Sequence, residues 1–349
     1  MQDKLKANIW KFFILILSNR RNYIPILSLY FLTLPDSTAQ QIGLYTGIGW
    51  IVGFFIEIPS GYLADTFGHK KTLILSSFFM LFSTLSFIIG GSLPYFIIGS
   101  TCISISWALS SGTNSAFLHN TLIGLKREKD FAKISGKMRA NVSLVSAVMI
   151  LLLPLLTKIS LLMPIKIYLL FDIMGIVAAF SLYSPKIKTE VQDEEGHNIL
   201  HQLKRFYGTG FYTMSIFLAL ISGFMLGSSP FRVPYATSLG LPIIFAGTIM
   251  AISRMVWFII GNNLEKLKKL KIENILLFEL FFFPFTFILL SQASNIYFVA
   301  GAIAISSGYY FARNPLIEEY YLNNFLINKK YKATMNVKGK KNNSNNKIF

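Results

Sequence analysis

Long apolar runs separated by short polar ones dominate this chain, and the length of those runs classifies it. A helix crossing ~30 Å of hydrocarbon needs about 20 mostly apolar residues. Ten segments meet that length: 10–32, 40–60, 72–91, 93–115, 138–157, 163–183, 210–233, 241–261, 273–291 and 294–312. Strands of a membrane barrel are shorter, about ten residues, and alternate in polarity. These runs are too long and too uniformly apolar for that, so the pattern predicts an all-α polytopic membrane protein. The first run has the basic start of a signal peptide (Lys4, Lys6, Lys11). No small-residue cleavage site follows and nine more runs do, so it reads as a retained first helix.

Composition agrees and excludes an ordinary soluble domain. Of 349 residues, 53% are hydrophobic and 14% charged, 32 are Phe, and mean hydropathy is +0.53. The net charge of +17 invites a nucleic-acid reading, but its distribution argues against one. Of 33 Lys and Arg, Lys158 and Lys166 fall in external loops and Arg20, Arg21, Arg232 and Arg254 within spans. The rest lie in the N-terminal tail, alternate loops and the C-terminal segment. That asymmetry is the positive-inside pattern, with the N-terminus cytoplasmic and the basic clusters against anionic headgroups. The lipid bilayer is therefore the expected partner, and no nucleic acid is. Cys102 is the only cysteine, which excludes an intrachain disulfide, and no Cys/His spacing suggests a metal site. No cofactor is implied, and the oligomeric state is not written in the sequence.

One mixed-charge polar stretch, 184–209, follows the sixth run and divides the chain. The expected organisation is a six-helix bundle over 1–183 and a cytoplasmic linker over 184–209. A second bundle with about four helices follows over 210–335, then a polar tail over 336–349. The halves echo one another. Gly61-Tyr62-Leu63-Ala64-Asp65-Thr66-Phe67-Gly68-His69-Lys70-Lys71 follows the second span of the first half, and Gly261-Asn262-Asn263-Leu264-Glu265-Lys266 follows the second span of the second. Gly and acid are four apart in both, with basic residues behind, as expected of two parallel repeats. Segments 117–137 and 316–333 read as amphipathic helices on the cytoplasmic face.

The Gly61–Lys71 stretch, with Glu57-Ile58-Pro59-Ser60 leading into it, resembles the signature loop between spans two and three of the major facilitator superfamily of secondary transporters. Lys332-Ala333-Thr334 is similar to the basic-Ala-Thr element that precedes span eleven in many members. Thr66 and His69 depart from the family pattern, which places basic residues there. The resemblance implies two helical bundles with the second incomplete, a small-molecule substrate, and alternating access in which Gly61, Asp65, Gly68, Lys70 and Lys71 hold the cytoplasmic side closed. Gly261 and Glu265 would be their counterparts, and Glu57 would form a gate ion pair. By analogy the default activity is proton-coupled efflux of a drug or metabolite across a bacterial cytoplasmic membrane. A full member would have twelve spans, and the switch after Thr334-Met335 to polar low complexity is what a frameshift or early stop leaves. Truncation is expected over a genuine ten-span protein, and a non-transporting remnant or membrane scaffold is the alternative function.

Charges inside hydrocarbon cost about 2.5–3.5 kcal/mol each on insertion scales, so each needs a reason. Arg20 and Arg21 lie near mid-depth of span one. Either they contact an anion, with Asn19 and Asn22 adding hydrogen bonds, or the helix starts later and both snorkel to the surface. Asp172 and Glu279 lie deeper in spans six and nine, which the resemblance places peripherally, so structural pairing is expected over proton coupling. Arg254 and Arg232 fit a cavity or an external gate. Pro230, Pro234, Gly223 and Gly227 should break or bend span seven, and Pro25 span one. Tyr30, Tyr45, Trp50 and Trp107 are the aromatic candidates for substrate contact. An enzyme is not expected: the chain shows no Gly-x-Ser-x-Gly elbow, no phosphate loop and no paired intramembrane acids.

Overall fold

A computed structural model describes residues 2–184, 210–263 and 271–321. Among them the chain is helical and carries no strand. In order, the helices are α1 (Gln2–Ser18), α2 (Ile24–Leu32), α3 (Ala39–Phe67), α4 (His69–Ile89), α5 (Leu93–Gly124), α6 (Phe131–Leu152) and α7 (Met163–Ser181). After the linker come α8 (Phe211–Gly227), α9 (Arg232–Ser238), α10 (Ala246–Asn262), α11 (Ile272–Gln292), α12 (Ile296–Ala312) and α13 (Asn314–Tyr321). Eight described stretches are long and apolar enough to cross a membrane by length and composition. The remaining two expected spans are the first, which is interrupted, and α12, apolar but 17 residues long.

Helix ends follow local chemistry. At the start of α3, Thr38 accepts from the Gln41 amide while the Gln41 side chain accepts from the Thr38 amide, a reciprocal capping box. The α3–α4 turn is a single residue. Gly68 sits at φ 89°, a region L side chains avoid, and its N–H closes α3 on the Ala64 carbonyl. The signature stretch is therefore less a loop than two helix ends: Gly61–Phe67 completes α3, and His69–Lys71 opens α4. The surface helix expected over 117–137 is not separate. Residues 117–124 continue α5, where Phe117, Leu118 and Leu122 are buried against Phe12 and Leu15, and α6 starts at Phe131. Burial of that apolar face keeps the helix running.

The described residues pack as two compact units. The first holds residues 2–184, 226–251 and 294–300, and the second holds 210–225, 252–263, 271–293 and 301–321. In the first, α5 lies along both α3 and α4, and α7 lies along α4 and α1. Small residues permit these approaches. Ser76 and Ser106 bond reciprocally, each hydroxyl donating to the other's carbonyl at 3.0 and 2.8 Å. Asn8 ties α1 to the end of α7, donating to the Tyr183 carbonyl and accepting from its amide. A Cβ on Gly49 would stand 2.9 Å from the Ser100 carbonyl oxygen, whereas one on Gly47 meets nothing within 4 Å. Gly49→Leu is accordingly expected to lower stability by about 1–3 kcal/mol through overpacking of α3 against α5. Gly47→Leu should change little, and thermal unfolding of both in detergent checks it.

Candidate functional site

Span one is two helices, α1 and α2, with residues 19–23 between them. Pro25, in the first turn of α2, has no N–H to return to the Arg21 carbonyl, so an uninterrupted ladder cannot form. The opened backbone is satisfied from the side. The Asn22 amide donates to the Tyr168 hydroxyl at 3.2 Å, and Arg21 Nη1 donates to the Ser18 carbonyl at 3.0 Å, a cation at a helix C-terminus. Arg21 Nη2 also donates to Asp172 Oδ1 at 2.5 Å, and Thr84 Oγ1 donates to Asp172 Oδ2 at 2.5 Å. Both charged side chains are fully buried. The guanidinium also lies 5.5 Å from the Tyr168 ring centroid and 5.9 Å from that of Tyr23.

Asp172 is nine residues from either end of α7, about 13.5 Å at 1.5 Å per residue. Its partner Arg21 is therefore deep in the bundle and does not snorkel. Arg20, the next residue, points elsewhere and is exposed. Arg139, counted from the sequence among the cytoplasmic charges, lies eight residues past the start of α6 and is exposed.

The other residues of the first half separate into two groups. Tyr45 is buried, with its hydroxyl 3.5 Å from Ser28 Oγ and its ring against Phe31 and Phe96. Tyr30 is half-buried against Phe96, while Trp50 and Trp107 are exposed. Glu57 accepts from Ser111 Oγ at 2.6 Å, joining α3 to α5. Asp65 and Lys71 are exposed and Lys70 half-buried, and none of the three makes an ion pair among the described residues. Gly61 has open space where a side chain would stand.

Span seven is interrupted like span one. α8 is 17 residues and α9 seven, with a tight turn at Ser229–Phe231 carrying Pro230; α1 and α2 are 17 and nine. Arg232 opens α9 and donates to Ser228 Oγ at 3.0 Å. Within the first unit α9 packs on α2, and Leu29, Val233 and Ala246 form a buried cluster there. In the second unit, Glu279 of α11 is fully buried. Its Oε1 accepts from the Tyr309 hydroxyl at 3.0 Å and pairs with Arg313 Nε at 2.9 Å, while Oε2 makes no hydrogen bond. Glu279 also lines a cavity of about 370 Å³ otherwise walled by apolar side chains, among them Phe217, Phe224, Phe283 and Phe287. Arg254 stands 5.1 Å from the Trp257 ring centroid and 5.9 Å from that of Phe311. Gly261 is in the last turn of α10; Glu265, most of the linker, the Lys332-Ala333-Thr334 element and the tail lie outside the described residues. Among the described residues no cluster of metal-ligating side chains occurs.

An all-helical integral membrane protein whose two halves each open on an interrupted span is the class this geometry defines. Residues 11–325 match the Major Facilitator Superfamily, and the chain belongs to it. It is 27% identical over 244 residues to an uncharacterized MFS-type transporter, YxaM, of Bacillus subtilis (strain 168), covering 66% of this chain and 58% of that protein. It is 26% identical over 222 residues to an uncharacterized transporter of Buchnera aphidicola subsp. Schizaphis graminum (strain Sg), covering 61% and 53%. The matches thus span little more than half the length of these relatives. Among solved structures it superposes on a mutant form of the nucleoside transporter NupG with TM-score 0.73 and 14% identity, covering 89% of this chain and 80% of that one. It also resembles a bacterial homolog of the lysosomal transporter Spinster, with TM-score 0.56 and 15% identity over 88% and 72%. At these identities the likeness is one of fold.

Proposed function

We propose that the chain moves a small molecule across the membrane by alternating access, with the short helices α2 and α9 forming the gate at one face. The observation that carries this reading is the contact between them: the outer pieces of the two interrupted spans, one from each repeat, bury Leu29 against Val233. Interrupted spans concentrate freed backbone groups and bending points where a solute site and a hinge are needed. The basic residues set the N-terminus in the cytoplasm, and the bacterial relatives support a cytoplasmic membrane. On that orientation α2 and α9 lie at the external face, with Asp65, Lys70 and Lys71 at the cytoplasmic one. Export against protons follows the family analogy. Glu279, with one carboxylate oxygen unengaged, is the better proton site; Asp172 has both oxygens bonded.

The test is a cysteine pair, Leu29→Cys with Val233→Cys, in a Cys102→Ser background. Oxidation is expected to bridge the pair and stop solute counterflow in proteoliposomes, and reduction to restore it. The solute panel should include small organic anions, nucleosides and lipophilic cations. A bridged protein that carries solute as fast as the reduced one sinks the gate. Absence of flux for every solute in the reduced protein sinks transport by these 349 residues.

A further inference from the structure

We infer that the cavity between α8 and α11 is a binding site for a small neutral aromatic molecule carrying one hydrogen-bond donor, with Glu279 as its polar anchor. The site stands on its own geometry and does not depend on the transport reading.

The walls set the apolar part of the ligand. At about 370 Å³ the cavity falls near the lower end of the ~300–1,000 Å³ range of small-molecule pockets. Phe217, Ile221 and Phe224 line it from α8, and Phe283, Pro284 and Phe287 from α11. Ile221 and Phe283 are buried, while Phe224 and Pro284 are exposed, so the cavity opens along an apolar rim. The Phe224 and Phe287 rings converge from the two helices, with centroids 6.2 Å apart. Rings spaced in this way offer edges and faces to a third ring, a geometry from which a flexible acyl chain gains nothing beyond area.

The carboxylate sets the polar part. Glu279 lies seven residues past the start of α11, about 10 Å along its axis, and is fully buried. Its Oε1 is engaged twice, by the Tyr309 hydroxyl at 3.0 Å and by Arg313 Nε at 2.9 Å. Its Oε2 accepts no hydrogen bond among the described residues. A buried carboxylate oxygen without a donor is costly, and the Phe, Leu, Ile and Pro side chains that complete the lining have none to give. A ligand N–H or O–H supplies it. Charge then narrows the choice. Arg313 already balances Glu279, so a cationic ligand would leave a net positive charge in apolar surroundings. An anionic ligand would meet the unbonded oxygen as a second negative charge. A neutral donor does neither.

Indole and 1-methylindole test this, because they share a ring system and only indole carries the N–H. The full chain in lipid nanodiscs would be titrated with radiolabelled indole, and the label displaced with each unlabelled compound. Indole is expected to bind saturably, and 1-methylindole to displace it about tenfold or more less effectively, the loss of one hydrogen bond to a charged acceptor. Glu279→Gln should bring the two affinities together, because its oxygen serves Tyr309 and its NH2 accepts nothing; monodisperse elution checks that it folds. Phe224→Ala should weaken indole binding about two- to tenfold through loss of a ring contact. Phe281→Ala, on α11 but outside the lining, should leave it unchanged. Phe224 and Phe281 are 67% and 70% exposed, so both variants are expected to fold. Counts that neither saturate nor yield to unlabelled indole are partition into the lipid, and overturn the site. Equal displacement by 1-methylindole, or a Phe224→Ala protein that binds indole as tightly as wild type, overturns it as well.

Discussion

Asp172→Leu is expected to destabilise the protein by about 3–5 kcal/mol, because it strands a charged Arg21 in the bundle with no neutralising group. The loss has three parts. Arg21 loses its carboxylate, the Thr84 hydroxyl loses an acceptor, and the clasp between the interrupted first span and α7 is cut. Asp172→Asn keeps an acceptor for Thr84 and should cost less. The double variant Arg21→Met with Asp172→Leu should recover much of the loss, since a buried pair replaced by apolar side chains of similar volume is often neutral. Midpoints of thermal unfolding in detergent, for the two single variants and the double, would decide it. Asp172→Leu as stable as wild type, or a double variant no better than the single one, would show that the pair is not what closes this interface.

The second large effect is expected at Glu279. Glu279→Leu removes the acceptor of the Tyr309 hydroxyl and the counter-ion of Arg313, which is 3% exposed, so the arginine is left buried with the Tyr310 ring, 5.0 Å away, but no carboxylate. A loss of about 3 kcal/mol or more follows by the same reasoning. Glu279→Gln retains an acceptor for Tyr309 and should lose less. Here charge and shape separate more cleanly than at Asp172, because only Oε1 is engaged while Oε2 is unbonded. Thermal unfolding ranks the three proteins; a Gln variant as damaged as the Leu variant would mean that the geometry of the carboxylate matters more than the hydrogen bond to Tyr309.

These two pairs show where reading the sequence stops. That Asp172 and Glu279 are costly in hydrocarbon follows from their apolar neighbours alone, and so does the expectation of partners. Which partners they have does not. Asp172 meets an arginine 151 positions away, across a helix interface set by the packing of α1 on α7. Glu279 meets Arg313, just past the end of α12, where a reading by span boundaries offers no reason to look. The signature stretch was legible as a motif and as the junction of two spans, but its helical state was not. Gly68 alone makes the turn, and propensity gives no warning that Gly61 and Asp65 continue α3. Pro25 and Pro230, by contrast, announced both interruptions, because a missing N–H is a local property that no tertiary context restores.

The sequence by itself determined the membrane-spanning helical class, the two-fold repetition of its halves, and the breaks in the first span of each. These follow from run length, spacing and proline chemistry, all of which act within a few residues. Only the tertiary structure decided which charge is neutralised and which is left open. Arg20 and Arg21, indistinguishable in sequence, lie in the break between α1 and α2 and face different surroundings. One is buried against a carboxylate, and the other is exposed. The choice belongs to the helices packed around them.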